Sequence, residues 1–262
     1  MIEWNIDPTL FTLGPLSPRW YGILFAMAFV ISYRYMRIMF TDDSKPQKEL
    51  DSLTITMIVG TILGARFGHV LFYEPQIFLD NPLEVFAIWH GGLASHGGAL
   101  GIITGLWIFH KRNKGYSMIW LLDRLAVVAA VSGLCIRVGN FFNSEILGRA
   151  TDVPWAIWFR QVDAVPIGRH PAQLYEAVLC LAVFLFLWWR YKKRDAFTHP
   201  GRLIGYFMVM IFTGRFFIEF IKEHQVAFEA GLPIDMGQIL SIPFVIAGIW
   251  FLMKSSRSVK TA

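Results

Sequence analysis

Residues 125–149 read Leu125-Ala-Val-Val-Ala-Ala-Val-Ser-Gly-Leu-Cys-Ile136, then Arg137-Val-Gly-Asn-Phe-Phe-Asn-Ser-Glu145-Ile-Leu-Gly-Arg149. The first part closes an apolar run covering about residues 117–136, long enough to cross a hydrocarbon layer of about 30 Å. The second part places two arginines, a glutamate, two asparagines and two glycines in thirteen residues. Guanidinium forks suit an anion, carboxamides suit oxygen atoms, and glycines let backbone come close. A polar loop with an Arg–Glu pair is the other reading of the same residues.

The rest of the chain repeats the first part of this pattern. Of 262 residues 55% are hydrophobic and 16% charged, with a mean hydropathy of +0.48. A soluble domain carries about 25% charge, so the composition predicts an all-α integral membrane protein. Seven transmembrane helices are expected, at about 20–39, 52–73, 92–109, 117–136, 171–189, 203–221 and 236–253. One transmembrane domain covering 1–262 is expected, with a small head at 137–170. In that head Pro154–Phe159 and Val162–Pro166 read as a small β-hairpin. The first residues, Met1-Ile-Glu-Trp-Asn-Ile-Asp, carry no basic region, so a cleavable signal peptide is not expected.

Basic residues assign the sides. Lys45 and Lys48 occupy the first loop, Lys111, Arg112 and Lys114 the third, and Arg190, Lys192, Lys193, Arg194 and Arg202 the fifth. The tail adds Lys254, Arg257 and Lys260. The second loop has none, the N-terminal segment only Arg19, and the sixth loop only Lys222. The positive-inside rule then puts the N-terminus outside and the C-terminus in the cytoplasm. The fourth connection breaks the rule, with Arg137, Arg149, Arg160 and Arg169 on the outer side. Basic residues confined to short loops are also a poor fit to nucleic acid. Cys135 and Cys180 lie in apolar runs and read as inert thiols.

Charges inside a bilayer are costly, so each needs a reason. On this topology Tyr21, Arg66, His69, His96, Arg137, His170, Gln173, Glu176, Arg215 and Glu219 all fall in the outer half of the membrane. Asp123 and Arg124 are exceptions near the cytoplasmic end of the fourth span. Each group has a structural alternative. Arg215 and Glu219 stand four apart and suit an ion pair, Tyr21 beside Trp20 suits an interfacial anchor, and His69 suits a satisfied core histidine. The HGG at His96 repeats one at His90-Gly91-Gly92, as a tight helix entry would. The arginine excess is what invites an anion, and phosphate is the natural one at a lipid boundary. Gly60, Gly64 and Gly68, and Gly97, Gly101 and Gly105, recur every four residues and read as helix-packing rows. HExxH, GxSxG, Walker and Cys/His metal spacings are absent from the sequence.

The stretch Arg137–Arg149 resembles the signature of the bacterial prolipoprotein diacylglyceryl transferases. So do Arg19-Trp-Tyr-Gly22, Gly64-Ala-Arg-Phe-Gly68, Ser95-His-Gly-Gly98, Arg169-His-Pro-Ala-Gln-Leu-Tyr-Glu176 and Gly214-Arg-Phe-Phe-Ile-Glu219, in family order over nearly the whole chain. Ile136 and Ile211 depart from the pattern, where glycine and tyrosine are expected. The resemblance implies a seven-span enzyme of the bacterial inner membrane with its site near the periplasmic face. It implies transfer of the diacylglyceryl group of phosphatidylglycerol to the lipobox cysteine thiol of a preprolipoprotein, releasing glycerol phosphate, with no cofactor or metal.

In that reaction Arg137 and Arg215 are expected to hold the phosphate and His96 to act as general base, unless the arginine field alone lowers the thiol pKa. Glu145 and Glu219 would orient the arginines. Asn140, Asn143 and Tyr21 would bind glycerol hydroxyls or phosphate, and Arg66 and Gly148 complete the substrate-binding set. The rival reading is a transporter or flippase for an anionic lipid, which needs polar groups continuing to the cytoplasmic side. A seven-helix photoreceptor lacks its lysine in the seventh span.

Overall fold

The computed structural model describes residues 1–14, 17–87, 92, 94–223 and 234–258. His90 and Gly91 of the repeated HGG, and Lys260 of the tail, lie outside them. The element order is β1 (Ile2–Trp4), α1 (Trp20–Asp42), α2 (Gln47–Tyr73), α3 (Ile77–Asp80), a 3-10 turn (Pro82–Phe86), α4 (Ser95–Arg112), α5 (Met118–Phe142), β2 (Ile157–Phe159), α6 (Ala172–Lys192), α7 (Asp195–Thr198), α8 (Arg202–Glu219) and α9 (Met236–Ser258). Five helices are long and apolar enough to cross a membrane: α1, α2, α5, α6 and α9. α4 and α8 are the other two long helices among the described residues, at 18 residues each, about 27 Å at 1.5 Å per residue. They carry polar ends, His96 with His110, Lys111 and Arg112 in one, and Arg202, Arg215 and Glu219 in the other. Large apolar side chains such as Val178 (66% exposed) and Ile246 (63%) point outward, which suits a lipid solvent and not water.

The chain divides into two compact units, Met36–Leu121 and Met1–Tyr35 with Leu122–Ala262. In the first, α2 and α4 touch backbone to backbone along the two glycine rows. A Cβ on Gly60 would lie 2.7 Å from the Gly101 carbonyl oxygen, and one on Gly68 2.7 Å from the Gly97 Cα. Without a hydrophobic drive in lipid, such close van der Waals approach is what holds helices together. At the loop end of the unit, Tyr116 is buried among Phe40, Phe109 and Trp120 and donates to the Glu49 carboxylate. Burial, and then the Glu49 bond, push its pKa above the ordinary tyrosine value.

In the second unit α6, α8 and α9 pack in chain order, α8 against both of the others. Gly205 and Gly248 let α8 and α9 approach, for a Cβ on Gly205 would stand 3.1 Å from the Gly248 carbonyl oxygen. Cys135 and Cys180 are buried and unpaired. Asp123 and Arg124, near the cytoplasmic end of the fourth expected span, both have structural partners. Asp123 caps α8, its Oδ2 accepting from the Gly201 N–H at 2.7 Å and its Oδ1 from that of Ile204 at 3.0 Å, so it satisfies donors that a helix start leaves open. Arg124 lies over the rings of Tyr191 and Phe197, a cation–π arrangement. Both are structural groups of the helix ends.

The head corrects the expected hairpin. β2 pairs in parallel with the N-terminal β1, Ile2 opposite Ile157 and Trp4 opposite Phe159. Its other edge meets Arg169 through an antiparallel bridge at Ile157. Val162–Pro166 forms no strand. Val162 and Val165 are exposed at 52% and 60%, Pro166 has no N–H to give, and Asp163 is drawn to Arg169. β2 is chosen because its alternation buries Ile157 and Phe159, which join Phe141 and Leu147 in a small core completed by Trp4 and Leu174.

Candidate active site

The candidate site begins where α5 ends. The chain reverses through Ser144 and Ile146, whose φ angles of 53° and 57° are left-handed, a conformation that costs a non-glycine residue of order 1–2 kcal/mol. The reversal aims the Glu145 carboxylate back at the helix. Glu145 accepts from Asn140 Nδ2 at 3.1 Å and from Asn143 Nδ2 at 2.8 Å. Asn140 in turn accepts from Arg137 Nη1 at 3.2 Å. Arg137 and Asn140 are three residues apart on α5, so they share one face. On the other side of its fork, Arg137 Nε stands 2.8 Å from Glu176 Oε2 on α6. Glu176 Oε1 is 3.0 Å from Lys222 Nζ, which is 3.1 Å from Glu219 Oε2 on α8. One line therefore runs Glu145–Asn140–Arg137–Glu176–Lys222–Glu219, through three helices and the turn.

The line revises two sequence expectations. Glu219 does not orient Arg215, four residues earlier; it binds Lys222 instead, and α9 closes on it at Gly237. Glu145 acts on Arg137 only through Asn140. The direct carboxylate partner of Arg137 is Glu176, which the sequence reading placed in a motif but not in the site. Lys222, the one basic residue of the sixth loop in the sequence, is 3% exposed. Its signal was the spacing of three from Glu219, as Glu176 had its own in the turn spacing after Gln173.

Arg215 is half-buried on α8 and takes no ion pair or hydrogen bond among the described residues. A charge in that setting is expensive unless a partner arrives. Tyr21, in the first turn of α1, packs on α5 at Gly139, where a Cβ would stand 2.9 Å from its ring. Gly148 is buried, and its backbone is committed: its N–H donates to the His170 carbonyl at 3.1 Å, and a Cβ there would run into His170. Arg149 donates from Nε to the Lys222 carbonyl at 2.9 Å. Arg169 grips Asp163 with Nε and Nη2 at 2.6 and 2.7 Å and also binds Glu223. The Asp163 bond, opposed by burial and aided by Glu223, holds its pKa above the usual arginine value.

Arg66, His69 and His96 belong to the other unit. Arg66 is buried and clasps backbone, donating to the carbonyls of Glu84 at 2.7 Å, Val85 at 3.2 Å and Gly92 at 3.5 Å. His69 stacks on Tyr73 and sits 3.7 Å from Glu74, as a structural histidine would. His96 is exposed in the first turn of α4.

One family model spans all of these residues. The prolipoprotein diacylglyceryl transferase profile matches residues 8–254, which includes every residue named above in the ion line and both glycine rows. The chain belongs to that family. Among its relatives is the phosphatidylglycerol–prolipoprotein diacylglyceryl transferase of Tolumonas auensis, 42% identical over 257 residues covering 98% of each chain. The enzyme of the same name from Chloroherpeton thalassium is 42% identical over 259 residues, 99% of this chain and 96% of the relative. That of Porphyromonas gingivalis is 44% identical over 270 residues, 98% and 95%. Three of the six stretches singled out in the sequence, Arg137–Arg149, Arg169–Glu176 and Gly214–Glu219, fall on the turn after α5, the start of α6 and the end of α8, where the ion line runs.

Proposed function

We propose that this protein transfers the diacylglyceryl group of phosphatidylglycerol to the thiol of the lipobox cysteine of a preprolipoprotein. The thiol sulfur attacks the glyceryl carbon that bears the phosphate. A C–S thioether forms, the C–O bond to phosphate breaks, and glycerol phosphate leaves with the electron pair. The thiol proton goes to a base. The protein is taken as a seven-span enzyme of the bacterial inner membrane, N-terminus outside, with α4 and α8 as the two shorter spans, the 137–170 segment as its head, and its chemistry near the periplasmic face.

The observation that carries this reading is the contrast between the two arginines of the second unit. Arg137 is hydrogen-bonded to Asn140 and ion-paired with Glu176, which holds its fork in place. Arg215 has its charge unspent among the described residues. A fixed fork and an uncommitted cation suit an anionic phosphodiester whose charge grows as it leaves, the case where aimed donors lower a barrier most. Asn143, with a buried Oδ1 that has no partner among the described residues, and Tyr21 are assigned to the glycerol headgroup. A thiol titrates at about 8.5 and reacts as thiolate. His96 is proposed to take its proton, imidazole being the side chain whose ordinary titration falls nearest neutrality.

The test uses purified protein in detergent with phosphatidylglycerol and a lipobox peptide. A peptide heavier by one diacylglyceryl group, stoichiometric glycerol phosphate, and loss of both when the peptide cysteine is alanine are expected. No mass gain in a folded preparation refutes the reaction. Two variants probe the roles. Arg215→Lys is expected to lose at least about 10²-fold in kcat/KM, because an ammonium is a point charge and cannot replace a planar fork; a fully active lysine variant rejects bidentate phosphate binding. His96→Gln is expected to lose about 10²-fold or more at neutral pH, and an unchanged rate across pH 6 to 9, on the order of three units, would move the base elsewhere.

A further inference from the structure

Lys222 ends in the most confined position of any lysine among the described residues for which burial is given. Its Nζ lies between two carboxylates from different helices, Glu176 of α6 at 3.0 Å and Glu219 of α8 at 3.1 Å. Their side chains are 4% and 6% exposed, and that of Lys222 3%. Two buried carboxylates in one site repel and are each costly to desolvate, so a shared cation is what allows both to stay ionised. The second cation is Arg137, on the far oxygen of Glu176. The charges then close: Arg137 and Lys222 against Glu176 and Glu219. No carboxylate of this group is left to cancel Arg215.

The backbone around Lys222 is bound to the signature turn as well. The Ile221 carbonyl accepts from the Arg149 N–H at 2.8 Å, the Lys222 carbonyl from Arg149 Nε at 2.9 Å, and the Glu223 N–H donates to the Leu147 carbonyl at 3.0 Å. The ammonium is thus held in register with the turn that carries Glu145. Arg137 offers five N–H donors; Nη1 donates to Asn140, and Nε stands 2.8 Å from Glu176 Oε2 as a charge contact without hydrogen-bond alignment. The Nη2 edge has no partner among the described residues.

We infer that Lys222 is a positioning residue for the transfer reaction: by bridging Glu176 and Glu219 it fixes the Glu176 carboxylate, and through that ion pair the position of the Arg137 fork, so that the open edge of the fork faces the departing phosphate. This rests on the reaction proposed above. Without the ammonium, Glu176 and Glu219 face each other with Arg137 as the one remaining cation of the cluster. The guanidinium is then drawn onto both carboxylates and off Asn140, and its open edge turns away. Lipid binding survives, because Arg215 is untouched. The bond-breaking step slows.

The experiment is steady-state transfer with phosphatidylglycerol and a lipobox peptide in detergent, comparing wild type, Lys222→Met and Lys222→Arg. Lys222→Met is expected to lower kcat at least about 10²-fold while KM for phosphatidylglycerol stays within about 3-fold. Lys222→Arg keeps the charge and bridges two carboxylates, so kcat returns to within about 5-fold of wild type. Wild-type kcat in Lys222→Met, or an arginine variant as slow as the methionine one, overturns the inference. So does a rise in KM at constant kcat, which would make Lys222 a lipid contact. If Lys222→Met does not accumulate as folded protein, Lys222→Gln, which can still donate to one carboxylate, takes its place under the same criteria. Failure of wild type to modify the peptide refutes the reaction itself, and is separate from any result on the variants.

Discussion

Arg137→Ala is expected to abolish diacylglyceryl transfer, with a loss of at least about 10³-fold in kcat, while the protein still inserts and folds. Two facts set this expectation. The fork is held by Glu176 at 2.8 Å and by Asn140 at 3.2 Å, so it meets the leaving group without reorganising, which is where a donor is worth most. And its removal does not strand a bare buried charge. Glu176 keeps Lys222 at 3.0 Å, so the stability cost is that of one lost partner, about 1–3 kcal/mol. The measurement is transfer to a lipobox peptide alongside a thermal unfolding curve. Transfer at the wild-type rate would remove Arg137 from the chemistry. Loss of folded protein in step with activity would make its role architectural.

Gly101→Leu should have the largest effect on the fold. The Gly101 position on α4 faces the Gly60 carbonyl and the Gly64 Cα on α2, so closely that even a methyl group does not fit. Both obstacles are backbone of the facing helix and cannot move aside as a side chain tip could. A leucine forces the helices apart along the whole row, and in lipid no hydrophobic term compensates for the lost contact. Overpacking of this kind costs about 1–3 kcal/mol, more where backbone is displaced, which for a chain of this size lowers the unfolding midpoint by roughly 5–10 °C. Gly115→Ala is the control, since nothing lies within 4 Å of a Cβ there. A Gly101→Leu midpoint equal to that of Gly115→Ala would show that the row is not an interlock.

The helices were legible because their signal is local. A run of some twenty apolar residues can satisfy its backbone in a membrane only by coiling on itself. All seven expected segments coincide with helices within a few residues, α1, α2, α5, α6 and α9 being long and apolar enough to cross. The glycine rows were legible for the same reason, as spacing alone puts them on one face. The head was misread because strand pairing is not local. Ile157–Phe159 had the right alternation, but its partner was Ile2–Trp4, more than 150 residues earlier in the chain, and a hairpin was only the nearest choice.

The candidate site divides in the same way. Arg137, Asn140, Asn143 and Glu145 lie within one helical turn and the reversal after it, so their association followed from spacing. The pairing of Arg215 with Glu219 also followed from spacing and proved wrong, because i,i+4 geometry only permits a pair. The competitor, Lys222, has its ammonium fixed by Glu176 from another helix, and that choice is made by tertiary packing. By itself, the sequence determined which residues are charged inside an apolar chain and which share a helical face. Only the tertiary structure decided which cation each buried carboxylate takes. Pairing among buried charges minimises the desolvation of the whole group at once, and that sum includes helices far apart in the chain.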